Sequence, residues 1–251
     1  MDIYPTRMNK YFRMSYINTL KQSYRSLYLN GVRSNERIKH IHYWVKERFR
    51  EKLGNKYNYH SYDPNDNTKK ELKINGSFYN KSCDIAISDK KNNPIAAISV
   101  KFITSNFKQN GNNYFEAMLG ESYNIKKENI LYAHLIICPN PIPYYFKGGK
   151  FKCLEYLSDK DIDKYIRLNK SSDIFSPDFT SLNIINLNTE NYINPLKFKT
   201  MDLDKQIEYL NNLTNGIDIS NNNNFNINTQ RFLSNTNIEQ MINNICNKIS
   251  T

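Results

Sequence analysis

Long apolar runs are missing from this sequence. No stretch approaches the roughly 20 consecutive apolar residues that a membrane-spanning helix needs, and mean hydropathy is −0.71. The opening MDIYPTRMNKYF has no continuous apolar segment of the signal-peptide kind. A soluble, cytoplasmic protein with no membrane partner is expected. Cysteine is scarce and scattered: Cys83, Cys138, Cys153 and Cys246 form no CxxC pair and have no histidine cluster beside them. That argues against a zinc site or a disulfide framework and for free thiols. The histidines, His40, His42, His60 and His134, form no triad or metal motif, and His134 lies within an apolar run, as a core residue would. A GxxxxGK[ST] loop is absent, so an ATP-driven motor would lack its phosphate cradle. Glycine and proline number only 8 each, while Asn, Lys, Ile and Tyr abound. This bias reads as AT-rich coding, and the run Asn221 to Asn224 is discounted accordingly. Tyrosines (19) and phenylalanines (13) are spread through every region and so mark no particular base-stacking site.

What is present in excess is positive charge. Lys plus Arg number 35 against 24 Asp plus Glu, a formal net charge of +11. Residues 1–60 hold 13 Lys/Arg and 4 Asp/Glu, an excess of 9 that makes up most of the total. A polyanionic partner is favoured, because each phosphate neutralised by a basic side chain releases counterions. A lysine-rich but idle surface would give the same count.

The length of 251 residues suits one α/β domain over 1–251. Its parts are a basic helical N-terminal region (1–60), a core of about 70–160 and an Asn-rich helical C-terminal region (200–251). Helix is expected from Arg7 to Leu29, and again after Ser34, where Ile38, Ile41, Val45, Phe49 and Leu53 form an apolar stripe that stops at Gly54. HSYDPNDNTKK reads as a surface connection, and ELKINGSFYNKSCDIAIS as strands interrupted at Asn75-Gly76. Asp84 to Ser88 and Ile95 to Ile103 flank a polar turn and should pair as an antiparallel hairpin. TSNFKQNGNN then reads as a polar loop, NYFEAMLGESYNIKKEN as a helix, and Ile130 to Cys138 as a buried strand ended by prolines. A further hairpin is expected around Gly148-Gly149, followed by a helix from Ser158 to Leu168 with Ser158 and Asp161 as a capping pair. Residues 169–198 should be irregular or short strands. Helices over Met201 to Leu213 and Ile238 to Ile249 flank a mobile Asn-rich loop.

The hairpin carries the chemistry. Alternate residues of a strand share a face, so Ser99 and Lys101 point one way while Ile98, Val100 and Phe102 point into a core. Folding about the turn brings Asp84 opposite the Ser99–Lys101 end of its partner strand. For a single pair this would be read as a cross-strand salt bridge. Yet a carboxylate that holds a divalent metal, beside a lysine that orients water and offsets developing charge, is also what phosphodiester hydrolysis requires. One carboxylate binds Mg²⁺ weakly, so a second acid is needed nearby, and the position two before the lysine is Ser99.

The pattern CDIAIS…AAISVKF resembles the PD-(D/E)xK nuclease core, with Cys83-Asp84 for Pro-Asp and Ser99-Val100-Lys101 for (D/E)-x-K. It is most similar to restriction enzymes of the NgoMIV-like group, which carry a Ser-x-Lys strand and take the missing acid from the following helix. The resemblance covers about residues 70–160. It implies a restriction-endonuclease-like α/β fold, a central mixed sheet flanked by helices, and a type II restriction endonuclease using Mg²⁺ on double-stranded DNA to leave 5′-phosphates. By the same resemblance Asp84 and Glu116 hold metal, with Glu121 the competitor for the second place. Lys101 positions water, and Ser99 marks the vacated acid position. Lys81 is a phosphate contact or a solvated side chain, and Asn106 and Asn110 are candidate DNA contacts. A homodimer and a DNA methyltransferase encoded nearby would accompany this activity. Glu36 and Glu47 stand where such nucleases sometimes place an extra acid, although Glu47 is also spaced to pair with Arg50. The alternatives are a structure-selective or repair nuclease with the same core, a catalytically silent DNA-binding protein, and an RNA-binding protein, for which no aromatic RNP-like motif is found.

Overall fold

The computed structural model describes residues 15–63, 71–187, 189, 192–219 and 224–251. A five-stranded mixed sheet lies between two layers of helices. Its strands are β1 (Asn58–His60), β4 (Ile85–Ser88), β5 (Pro94–Phe102), β6 (Leu131–Pro139) and β9 (Phe179–Ile185), adjacent in that order. β1, β4 and β5 are antiparallel neighbours, whereas β5, β6 and β9 run parallel. Two small hairpins stand outside the sheet: β2 (Leu72–Asn75) with β3 (Asn80–Cys83), and β7 (Ile142–Tyr145) with β8 (Phe151–Glu155).

The β-branched alternation of β4, β5 and β6 decides which face each helix covers. Ile85, Ile87, Ile98, Val100, Phe102, Leu135 and Ile137 form the larger core with α1 (Tyr16–Asn30), α2 (Glu36–Leu53), α6 (Leu203–Asn215) and α8 (Ile238–Ser250). The short helix α5 (Pro195–Phe198) adds Phe198 to it. On the opposite face, Ala86, Ala97, Tyr132, Ile136, Cys138, Leu182 and Ile184 meet α3 (Phe107–Lys126), α4 (Asp159–Asn169) and α7 (Ile227–Asn235). Burying a Val, Ile or Leu side chain contributes about 1.5–3 kcal/mol, so both faces are strongly specified, and a one-residue slip of β5 would expel Ile98 and bury Lys101.

Both helix ends of α2 follow from local chemistry. The Ser34 hydroxyl accepts the Glu36 amide at 3.2 Å, and Gly54 closes the helix at φ 65° while donating its N–H to the Arg50 carbonyl. The expected stripe of α2 is present, with Ile41, Val45 and Phe49 fully buried. Ser158 and Asp161 form the capping box of α4.

Three expectations are corrected, and one lies partly outside the described residues. The loop before α3 shrinks to residues 103–106, because the helix begins at Phe107 instead of in the NYFEAM segment. Phe107, Gly111, Met118, Ser122 and Ile125 are its buried stripe, a helical spacing masked by intervening asparagines. Residues 169–198 contain a full strand of the sheet, β9, paired in parallel with β6. The Asn-rich C-terminal stretch is helical over Ile227–Asn235, where Asn226 caps the helix by accepting the Thr229 amide. The N-terminal helix starts at Tyr16; the expected portion from Arg7 to residue 14, together with 64–70 and 220–223, lies outside the described residues.

Candidate functional site

Asp84 stands at the bend between β3 and β4, where two registers meet. The β4–β5 pairing places Ile85 opposite Ile98. One step further, Asp84 does not continue the ladder with its backbone. Its carboxylate Oδ2 instead accepts the Val100 amide at 2.6 Å and lies 3.5 Å from the Ser99 hydroxyl. A carboxylate thus ends the ladder and fixes its own position on β5. The buried Ser61 hydroxyl donates to the Asp84 carbonyl at 2.8 Å and holds it from the β1 side.

The second register belongs to β2–β3, where Leu72 pairs with Cys83. The next residues outward are Glu71 and Asp84. Glu71 is thereby brought beside Asp84, and burial together with the Asp84 charge raises the Glu71 pKa, opposed by Lys81. From the other side, α2 delivers His42, 2% exposed, with Nε2 at 3.9 Å from Asp84 Oδ1. Burial lowers the pKa of this imidazole despite Asp84, which favours its neutral form. Donor atoms of His42, Glu71 and Asp84 all lie within 4.8 Å of one another. The set suits a divalent cation: two oxygens and one ring nitrogen converge, and Nε2 is a buried polar atom without a hydrogen-bond partner among the described residues.

A second group lies on the Ser99–Lys101 face. Lys101 Nζ is 3.8 Å from Glu121 Oε1, Lys81 Nζ is 3.0 Å from the same oxygen, and the Tyr132 hydroxyl donates to Glu121 Oε2 at 2.7 Å. Burial would raise the Glu121 pKa, but Lys101, the Tyr132 hydroxyl and Lys81 outweigh it and hold the carboxyl at about 2. The Asp84 charge also acts on Lys81, so this lysine links the two groups.

The two candidate acids of α3 part company here. Glu121 faces Lys101; Glu116 is exposed and sits near Lys164 of α4. Five residues separate them, about 140° around a helix of 100° per residue. Starting the helix at Phe107 fixes the phase: Glu116 lies about 160° from the centre of the buried stripe and Glu121 about 60° from it. The structure therefore sets Asp84 against Ser99 and Val100 and sets Glu121 against Lys101, with Lys81 acting on both acids, and does not bring Glu116 to them.

The remaining candidates have internal tasks. Lys81 is ion-paired to Glu121 instead of being solvated. Asn106, in the left-handed conformation at φ 53°, donates to the Tyr145 carbonyl at 2.9 Å and accepts the Tyr145 amide at 3.0 Å, clasping β7 to the start of α3. Asn110 donates to the Asn106 carbonyl. Glu47 does pair with Arg50, at 2.6 and 2.8 Å, but from a buried position, and Glu36 pairs with Lys39. The basic N-terminal block is less free than its count implies. Arg37 donates to the Phe102 carbonyl, Lys46 is fully buried against Asp63 at 2.8 Å, and Arg48 is paired with Glu239 and Glu51. His134 is buried as expected and its pKa falls to about 3 through burial, with Nδ1 lacking a partner among the described residues.

No family model, curated protein or solved structure matches this chain. The site stands on its own geometry. Sequence reasoning missed His42 and Glu71. Glu71 could have been found by extending the Leu72–Cys83 register one residue outward. His42 carried a weaker signal, a polar side chain one residue after Ile41 on the stripe side of α2.

Proposed function

We propose that the chain is a divalent-metal-dependent endonuclease that hydrolyses phosphodiester bonds of double-stranded DNA at a short specific sequence, in the manner of a type II restriction enzyme. The observation that carries this reading is the convergence, at one end of β4–β5, of the anchored Asp84 carboxylate, the Ser99-Val100-Lys101 strand and a helix-borne Glu121. This is the arrangement implied by the resemblance to Ser-x-Lys nucleases, with Glu121 instead of Glu116 as the acid from the helix.

In this reading Asp84 and Glu121 hold Mg²⁺, which, when bound, polarises the phosphate and acidifies an attacking water. Val100 and Ser99 keep Asp84 aimed, and Ser61 fixes its backbone. Lys101 orients the water and offsets charge growing on the phosphate oxygens. Lys81 shares Glu121 with Lys101 and supplies a second cation to the phosphate side of the site. Tyr132, rooted in β6, holds Glu121 in place through its hydroxyl. A homodimer belongs to the same reading, since a two-fold symmetric duplex site calls for one subunit per strand. A cognate DNA methyltransferase belongs to it too, as protection for the host DNA.

The test is cleavage of unmethylated plasmid and phage DNA, and of branched duplexes, with Mg²⁺ or EDTA. Discrete Mg²⁺-dependent bands that vanish in Lys101→Ala support restriction. Cutting confined to branched DNA would move the function to a structure-selective nuclease. Binding without cutting of any substrate would sink the nuclease reading.

A further inference from the structure

We propose that His42, Glu71 and Asp84 form a mixed nitrogen–oxygen cation site that prefers first-row transition metals, Mn²⁺ among them, over Mg²⁺, with the His42 imidazole as a direct ligand. The inference rests on the nuclease reading only through Asp84, which this cation position shares with the one given to Asp84 and Glu121.

Three independent features of the fold build this site. The β2–β3 register sets Glu71 beside Asp84, the β4–β5 junction fixes one oxygen of Asp84, and α2 presents His42 to the other. Asp84 Oδ2 is held by the Val100 amide, so Oδ1 is the oxygen directed at the imidazole. His42 is almost wholly buried, and its Nε2 has no hydrogen-bond partner among the described residues. A buried ring nitrogen of this kind is costly unless something occupies its lone pair or takes its proton. At 3.9 Å, Asp84 is too far to hydrogen-bond it but well placed to share a cation with it.

His134 is the other buried histidine with an unpartnered ring nitrogen, and it makes a useful contrast. Its charged surroundings are the single carboxylate of Glu121 with Lys101 and Lys81, so this ring meets one acidic donor where His42 meets two. Around His42 the converging groups are carboxylates. Lysines near it are engaged: Lys46, one turn further along α2, is neutralised by Asp63.

The donor set decides the preference. Mg²⁺ favours oxygen ligands and retains its waters, whereas Mn²⁺, equally at home with carboxylates, opens the first-row series along which affinity for imidazole rises. Replacing an all-oxygen set by two carboxylates and an imidazole therefore shifts affinity from Mg²⁺ towards Mn²⁺.

The test titrates the intact protein with MnCl₂ without DNA, following free Mn²⁺ by electron paramagnetic resonance and the bound ion by its ¹⁴N spin-echo modulation. One Mn²⁺ site with nitrogen modulation is expected, not displaced by equimolar Mg²⁺. His42→Gln should abolish the modulation and weaken Mn²⁺ by roughly tenfold or more. Absent binding, bound Mn²⁺ without nitrogen modulation, or a modulation that survives in His42→Gln would each overturn the site. Should His42→Gln fail to fold, the exposed Glu71→Gln replaces it: about tenfold weaker Mn²⁺ binding is expected, and unchanged binding overturns the proposal. The two readings fail separately. A nitrogen-ligated Mn²⁺ in a protein that cuts no DNA removes the nuclease and leaves the metal site. Cleavage abolished by Lys101→Ala, with no nitrogen modulation, does the reverse.

Discussion

Asn124 of α3 holds the turn of the β2–β3 hairpin: its side-chain oxygen accepts the Phe78 and Tyr79 amides at 2.9 and 3.2 Å, and its nitrogen donates to the Tyr79 carbonyl at 3.0 Å. The same helix, three residues earlier, carries Glu121. One side chain thus ties the hairpin that bears Glu71 and Lys81 to the helix that bears the acid facing Lys101.

This clasp leaves no room at Gly76, where an added Cβ would come within 2.1 Å of the Asn124 side chain. Gly76→Ala must displace Asn124, and Asn124→Ala leaves two hairpin amides without their acceptor. Each variant should lose about 1–3 kcal/mol in urea unfolding. A loss under 0.5 kcal/mol in both would show that the clasp is dispensable.

At the proposed nuclease site, Lys101→Ala and Glu121→Gln should each reduce the cleavage rate by about 10²-fold or more. Glu116→Gln, on the opposite face of α3, should stay within about twofold of the parent. Timed plasmid digestion distinguishes these outcomes, and the reverse ranking of Glu116 and Glu121 would discard the role given to Glu121.

His134 makes stability depend on pH. Its folded pKa, near 3, is below the ordinary value of 6.5, so the unfolded chain binds the proton more tightly. The stabilisation is complete above pH 6.5 and is lost as pH falls from there towards 3, at up to about 1.4 kcal/mol per pH unit. Urea midpoints measured from pH 7.5 to 4.5 should fall less steeply in His134→Leu than in the parent. Parallel curves would refute the assignment.

The four cysteines are free, and three of them, Cys83, Cys138 and Cys246, are buried. Burial also pushes the Cys83 thiol up to about 12. A thiol reagent should label only Cys153 quickly in the native protein and all four after denaturation. Rapid native labelling of Cys83 would mean that the β3–β4 bend opens readily.

Where periodicity was strong, the sequence was readable. Asp84 to Ile103 announced both the hairpin and the placement of Asp84 at the Ser99–Lys101 end of its partner strand to within a residue or two, because an alternating strand buries its isoleucines in few registers. Periodicity failed in the Asn-rich segments. At the start of α3, asparagines and Gln109 separate Phe107 from Gly111 and Tyr114, which hides the first turns of the helix, and the preference for Glu116 rests on its spacing from Lys101, which carries no helical phase. β9 was missed because its inward residues include Thr180, Ser181 and Asn183, buried polar groups that do not resemble a parallel core strand. His42 was passed over for a different reason: a lone histidine has no spacing to read, and its neighbours Glu71 and Asp84 come from distant parts of the chain.

The helix formed by residues 238–250 has consequences for how the molecule folds. Ile238, Met241, Ile242 and Ile245 complete the same core that contains Val45 and Phe49, and Glu239 receives the Arg48 guanidinium. Without this stretch the part of the sheet face that α1, α2 and α6 leave to it is open, and roughly 190 residues of sequence separate Arg48 from Glu239 where the gap closes. Contacts of such separation slow folding. Docking of this helix is therefore a late, long-range step in assembling the core.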